Sequence, residues 1–191
     1  MSSEEVGQLA VLSEMFADVV GRARPESVAI LGIAGGNGLE HIDAAVTRRV
    51  VGIDVNAAYL NVVRQRYSNM AGLELHCADL SKVIRNIEPV ALVHAALVFE
   101  HTGPGQALEN AISLVAPGGA LSVVLQQGGE SEGNVGRSPF ASLRVFENHF
   151  TRIDPEWITE EIGRREFRLE HETERALPAA KSFWLGVFGR T

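Results

Sequence analysis

One glycine-rich turn between two short apolar runs narrows the fold of this chain more than any other feature. Val28-Ala-Ile-Leu-Gly-Ile-Ala-Gly-Gly-Asn-Gly38 is an apolar stretch that dissolves into glycine. Leu39, Ile42 and Val46 then recur at helical spacing, which predicts a helix over about 38–46. Val50–Ile53 is a second apolar run, and Asp54 stands at its tip. A strand–turn–helix–strand unit of this kind brings backbone N–H groups and a carboxylate to one edge of a sheet, the arrangement that holds the ribose of a nucleoside. Glycine suits the turn because no Cβ blocks the approach of a ligand.

The rest of the chain is compatible with one domain over residues 1–191, opening with a helix within residues 1–24. Apolar residues make up 46% of it and charged residues 21%, which is enough to bury a core. The net charge is −7 with no Lys/Arg cluster, so nucleic acid is not an expected partner. Cys77 is the single cysteine, which excludes an internal disulfide and fits a cytoplasmic location. No basic leader opens the chain, and no apolar run approaches the roughly 18 residues of a membrane span.

Strand and helix signals alternate along the sequence. After the first unit come a helix capped by Asn56, a strand Leu73–Cys77, a short helix Leu80–Ile87 and a strand Val90–Ala95. Gly103-Pro104 opens the next helix and Pro117-Gly118-Gly119 closes it, leading to a strand Ala120–Leu125. Residues 126–150 read as an inserted lid, a glycine-rich loop followed by a helix bearing Phe140, Leu143 and Phe150. Asp154-Pro155 starts the last helix. The final strands, Phe167–Thr173 and Lys181–Phe188, have only a turn over 175–180 between them and so predict an antiparallel pair. The whole predicts an α/β, Rossmann-like three-layer sandwich whose seven-stranded sheet is mostly parallel with the last strand reversed.

This order of motifs resembles the class I S-adenosylmethionine-dependent methyltransferases along nearly the whole chain. Ile30–Gly38 is similar to the family's first motif, Asp54 to the acid after strand two and Asp79 to the acid after strand three. Ala95-Ala-Leu-Val-Phe-Glu-His101 falls where the family lines the methionine end and the acceptor, and Leu114-Val-Ala-Pro-Gly-Gly119 is similar to its turn before strand five. The resemblance implies S-adenosylmethionine as cofactor, held by Gly32, Ala34, Gly35, Gly36, Asn37, Gly38, Asp54, Val55, Asp79, Leu80, Ala95 and Ala96. It implies in-line methyl transfer to a small-molecule acceptor by a monomer or homodimer. His101 and Glu100 are the candidate catalytic residues. Two positions depart from the family pattern: Gly32 replaces its acid and Ala34 its first glycine.

Other readings of the same residues stay open. A non-catalytic module of the same fold would bind a nucleoside or a partner chain. A nicotinamide oxidoreductase would need a third glycine where His41 stands, and a tyrosine with lysine four residues on, which neither Tyr59 nor Tyr67 has. A P-loop would need Gly-Lys-Ser/Thr after the glycines. No ligand spacing for a metal appears. Cys77 reads as an inert buried strand residue, His94 as structural, and Trp157 and Trp184 as packing residues.

Overall fold

The computed structural model describes residues 3–128, 150–178 and 180–191, the side chains of residues 3–6 excepted. The inserted loop and helix expected over 126–150 lie mostly outside the described residues.

A seven-stranded sheet runs through the molecule in the order β3-β2-β1-β4-β5-β7-β6. Its strands are β1 (Ser27–Leu31), β2 (Arg49–Asp54), β3 (Leu73–Cys77), β4 (Val90–Ala96), β5 (Val115–Gly128), β6 (Phe167–Leu177) and β7 (Lys181–Arg190). β1, β2, β3, β4 and β5 pair in parallel, whereas β7 runs antiparallel to both β5 and β6. The single reversed strand is therefore the last one, as expected. β6 and β7 extend further than their apolar runs, the first to Leu177 and the second from Lys181.

Alternate side chains on the strands feed two cores. Val28, Ile30, Val50 and Leu92 face α1 (Ser3–Ala23) and α2 (Ala57–Arg66), where Met15, Phe16, Val19, Leu60 and Val63 cover them. Ala29, Leu31, Val51 and Val93 face α4 (Pro104–Ser113) and α5 (Pro155–Gly163), covered by Ala107, Leu108, Ile158 and Ile162. This period-2 division of apolar residues between two helical layers is what makes a three-layer sandwich. A single turn, α3 (Phe99–Thr102), lies between β4 and α4. Pro104 occupies the first turn of α4, and Asn56 caps α2 by accepting the Ala58 N–H at 3.0 Å.

Two expected helices are absent. Over 38–46 the chain makes only a 3₁₀ turn, Leu39–His41. Asp43 then forms a turn of its own: Oδ1 accepts Ala45 N–H, and its carbonyl accepts the Val46 and Thr47 N–H groups. Over 80–87 the backbone is held from outside by Asn110 of α4. Its Nδ2 donates to the Leu80 and Lys82 carbonyls at 2.9 and 2.7 Å, and its Oδ1 accepts Ile84 N–H at 3.2 Å. Asn110 is buried, so these bonds occupy backbone groups that a helix would have paired internally.

Candidate active site

The C-terminal ends of β1, β2 and β4 meet on one edge of the sheet. Leu31 pairs with both Ile53 and Ala95, and Asp54 pairs with Cys77 one strand further out. The chain leaves β1 toward the face of α1 and α2, and leaves β4 toward the face of α4. This is the topological switch point, where a crevice opens beyond the strand ends.

The turn after β1 begins with the Gly32 and Ile33 N–H groups, which both donate to the Ile53 carbonyl at 2.8 and 3.1 Å. Gly32 (φ +66°) and Ala34 (φ +45°) are left-handed and exposed. Asp54 grips the turn from β2. Its Oδ2 accepts the Ala34 N–H at 2.9 Å and its Oδ1 the Asn56 N–H at 2.8 Å. The Asp54 side chain is buried, and each carboxylate oxygen keeps a second lone pair for a further donor.

The glycines divide into two sets. A Cβ on Gly36 would lie 2.8 Å from Tyr67 Cε2, and one on Gly38 would lie 2.9 Å from Phe16 Cδ1. Both face inward, so the close approach they permit is that of the protein's own side chains. Gly35 has nothing within 4 Å of its Cβ position. A Cβ on Gly32 would lie 3.0 Å from Val98 Cγ2, so Ala34 and Gly35 form the open face of the turn, beside the exposed backbone of Gly32. Asn37 points the other way and donates to the Leu9 carbonyl of α1 at 2.9 Å.

The remaining candidates spread along the same edge. Val55 is exposed beside Asp54. Asp79 accepts both the N–H and the hydroxyl of Ser81, at 3.0 and 2.6 Å, and faces Lys82 Nζ at 3.3 Å. Those hydrogen bonds, with Lys82, hold its carboxyl below the usual range. Leu80 and Ala95 bury their side chains in the core beneath α4, while Ala96 is half-buried.

Past β4 lie the two candidate catalytic residues. Glu100 is fully buried; its Oε1 accepts the Gln126 N–H of β5 at 2.9 Å, and its carbonyl accepts the Thr151 N–H at 2.8 Å. Its Oε2 has no hydrogen-bond partner among the described residues. Burial pushes its carboxyl up to about 7, against the opposing pull of its backbone hydrogen bonds. His101 sits edge-on to Phe150 with ring centroids 5.6 Å apart, and its buried Nδ1 likewise has no partner among the described residues. Burial lowers its pKa, which keeps the ring neutral at pH 7.

Residues outside the site fall partly as expected. His94 is buried in β4 with Nδ1 3.1 Å from Ser122 Oγ and its ring against Phe16, a structural role. Burial lowers its pKa to about 4. Cys77 corrects its expected burial: it is exposed, because β3 is an edge strand. Trp157 is also exposed, whereas Trp184 is buried and donates to Glu172 Oε2 at 3.2 Å. Among the described residues no group of three His, Cys, Asp or Glu side chains is arranged to hold a metal ion, and no helix is long and apolar enough to cross a membrane.

The profile of a methyltransferase-domain family matches residues 28–119, the span from β1 through the turn before β5 that builds this edge. Over these residues the chain carries a methyltransferase domain, consistent with the class I S-adenosylmethionine-dependent methyltransferases. Its fold is shared with solved members of that class. It is similar to the N-methyltransferase NodS from Bradyrhizobium japonicum WM9, at 16% identity and TM-score 0.69, with 95% of each chain covered. It is similar to magnesium protoporphyrin IX methyltransferase (ChlM) from Synechocystis PCC 6803 with bound S-adenosylhomocysteine, at 13% identity and TM-score 0.71, with 98% of this chain and 85% of that one covered. The [4+2]-cyclase SpnF has the same fold at 12% identity and TM-score 0.69, with 94% of this chain and 79% of that one covered. No protein of curated function matches the sequence.

Sequence reasoning missed the contacts beneath the turn. Ser13, Glu40 and Tyr67 meet there, and their only signal in the sequence is a polar residue on the otherwise apolar face of the first helix.

Proposed function

We propose that this methyltransferase transfers the methyl group of S-adenosylmethionine, in line, to a small-molecule acceptor at the edge formed by β1, β2 and β4. The observation that carries this reading is the bond from the Ala34 N–H to Asp54 beside the open face at Ala34 and Gly35, within the span matched by the methyltransferase family. The residues fit the cofactor. Asp54 retains lone pairs for two ribose hydroxyls, and Gly35 leaves open space where a Cβ would otherwise stand. Asp79, Val55 and Leu80 lie where the adenine would rest, and Ala95 and Ala96 where the methionine end would. Gly32 brings no carboxylate to the ammonium group.

When bound, the cofactor supplies a sulfonium methyl whose positive charge disperses as it leaves. The site therefore needs to position the acceptor rather than stabilise a new charge, and alignment at roughly 3 Å supplies much of the rate. An amine or hydroxyl acceptor must also lose a proton. His101, neutral at pH 7, is the base assigned to that step. Glu100 anchors the α3 turn to the end of β5 and so sets where His101 stands. A small acceptor fits the acidic chain, and fits neighbours whose named substrates include magnesium protoporphyrin IX and geranyl diphosphate.

The test is a calorimetric titration with S-adenosylmethionine and S-adenosylhomocysteine, followed by an assay of S-adenosylhomocysteine release over amine, hydroxyl, thiol and carboxylate acceptors. Binding of both, with acceptor-dependent release, supports the reading. Binding without release from any acceptor favours a module that uses the fold otherwise, as the cyclase neighbour does. Binding of neither overturns it.

A further inference from the structure

Gly32 stands where the resembled family carries an acid, yet the turn here is held at several points. Glu40 lies beneath it. Its Oε2 accepts the Gly38 N–H at 3.1 Å and faces the Tyr67 hydroxyl at 3.0 Å, while Oε1 accepts the Ser13 hydroxyl at 3.2 Å. Ser13 lies on α1 and Tyr67 closes α2, so one carboxylate ties both helices to the turn. Tyr67 also reaches the Gly36 carbonyl at 2.9 Å. A phenol has one proton, so it serves Gly36 or Glu40 at any instant, and the Gly38 N–H remains on the carboxylate when it turns to Gly36.

The contacts around this carboxylate all act in one direction. Gly36 has no Cβ and the Tyr67 ring fills that space; Gly38 has none and Phe16 of α1 fills that one. Asn37 adds its bond to Leu9, and His41 Nε2 lies 3.0 Å from Ser13 Oγ. Burial opposes ionisation of Glu40, but its own backbone N–H, Tyr67, Ser13 and nearby His41 together outweigh it, and its pKa is lowered. The carboxylate is therefore charged at neutral pH, when its hydrogen bonds are strongest.

We propose that Ser13, Glu40 and Tyr67 form a clamp that fixes Gly36–Gly38 in the conformation needed for cofactor binding, with Glu40 bringing to the turn a carboxylate that Gly32 does not. The proposal rests on the cofactor reading above. All three are positioning residues, since their contacts run to the backbone of the turn and to one another. A turn already ordered spends less of the binding free energy on ordering, so loss of the clamp appears in affinity.

The test uses the full chain with Tyr67→Phe, Glu40→Ala and Glu40→Gln. Two quantities are read: hydrogen exchange at the Gly36–Leu39 amides without cofactor, and calorimetric affinity for S-adenosylhomocysteine. Tyr67→Phe and Glu40→Ala are expected to speed exchange at Gly38 and weaken affinity, each by about fivefold to thirtyfold. Glu40→Gln keeps one oxygen acceptor but loses the charge, and is expected to fall between wild type and Glu40→Ala on both readouts. The double variant Tyr67→Phe/Glu40→Ala should lose less than the two single effects combined, because both singles already lose the Tyr67–Glu40 contact. It should lose more than either alone, because Tyr67 also holds the Gly36 carbonyl and Glu40 the Gly38 N–H. If Glu40→Ala fails to fold, Tyr67→Phe, which removes a single oxygen, carries the test. Unchanged exchange at Gly38, or a lowered melting temperature with affinity intact, overturns the clamp. Faster exchange in the variants with no binding by wild type sustains the clamp and overturns the cofactor reading alone.

Discussion

Asp54 accepts the backbone N–H of Ala34 at 2.9 Å, and Ala34 is held there at φ +45°. A left-handed alanine costs roughly 1–2 kcal/mol, so the carboxylate helps keep a strained residue in place as well as facing a ligand. Asp54→Ala strands the Ala34 and Asn56 N–H groups. Affinity for S-adenosylhomocysteine should fall about ten- to a hundredfold, and stability by about 1–3 kcal/mol. Calorimetry and denaturant unfolding read the two effects separately. A folded Asp54→Ala variant with unchanged affinity removes Asp54 from the site.

The same strain gives Ala34→Gly an opposite sign. The substitution relieves the left-handed conformation and adds chain entropy to the unfolded state, about 0.5–1 kcal/mol in the other direction. Stability should stay level or rise slightly. A loss above about 1 kcal/mol in urea unfolding would mean that the Ala34 methyl makes a stabilising contact.

At Gly36 the structure changes what the sequence led us to expect. If Gly36 only clears the way for a ligand, as its place in the motif suggests, Gly36→Val costs binding more than it costs stability. In the structure its Cβ meets Tyr67 Cε2 at 2.8 Å, at φ +79°. A β-branched residue there strains the backbone and displaces the ring. Unfolding free energy should fall by at least about 2 kcal/mol, and thermal melts that show an unperturbed variant would refute this packing account.

The strand plan was legible because it rests on burial. Apolar runs at Val28–Leu31, Val50–Ile53 and Val90–Ala95 must be covered on both faces, and the missing helix between β6 and β7 forces a reversed strand. The helices over 38–46 and 80–87 were misread because their periodicity is real while their backbone partners lie elsewhere. Asp43 caps its own turn, and Asn110, 26 residues away from Ile84 in sequence, takes over the backbone of the second segment. Of the site, Asp54 and the glycines stand in one readable motif. Glu40 was invisible, because Ser13 and Tyr67 each lie 27 residues from it and no spacing rule joins them.

Two buried groups make opposite demands on pH. His94 has a folded pKa of about 4, below its unfolded value near 6.5, so it contributes instability that grows as pH falls between them. Glu100 is raised to about 7 from near 4.5, so its contribution is fully present below 4.5 and is lost as pH rises toward 7. Between pH 5 and 6.5 the slopes, about 1.4 kcal/mol per pH unit each, largely cancel. The lowered pKa of His101 leaves a small net rise with pH. Glu100→Gln should therefore make stability climb steeply with pH over that range, and His94→Gln should make it fall. Urea midpoints at pH 5 and 6.5 decide it; variants with the wild-type slope would contradict the two burial shifts.

His101 is the residue on which chemistry and packing forecast different results. If it removes a proton from the acceptor, His101→Ala should lower turnover by roughly 10²–10⁴-fold while affinity for S-adenosylmethionine stays nearly intact. Burial lowers its pKa, so the rate should rise with pH through a limb below the usual 6.5 rather than at it. The limb must also vanish in the variant, because Glu100 titrates higher, at about 7, and would leave a separate inflection. If His101 only packs on Phe150, its loss leaves a small void beside α3, costs stability and spares turnover. Initial rates across pH 5–8 for both proteins, with a hydroxyl or amine acceptor at saturation, separate the two. Turnover within threefold of wild type, with the ascending limb unchanged, would leave an enzyme that works by alignment alone.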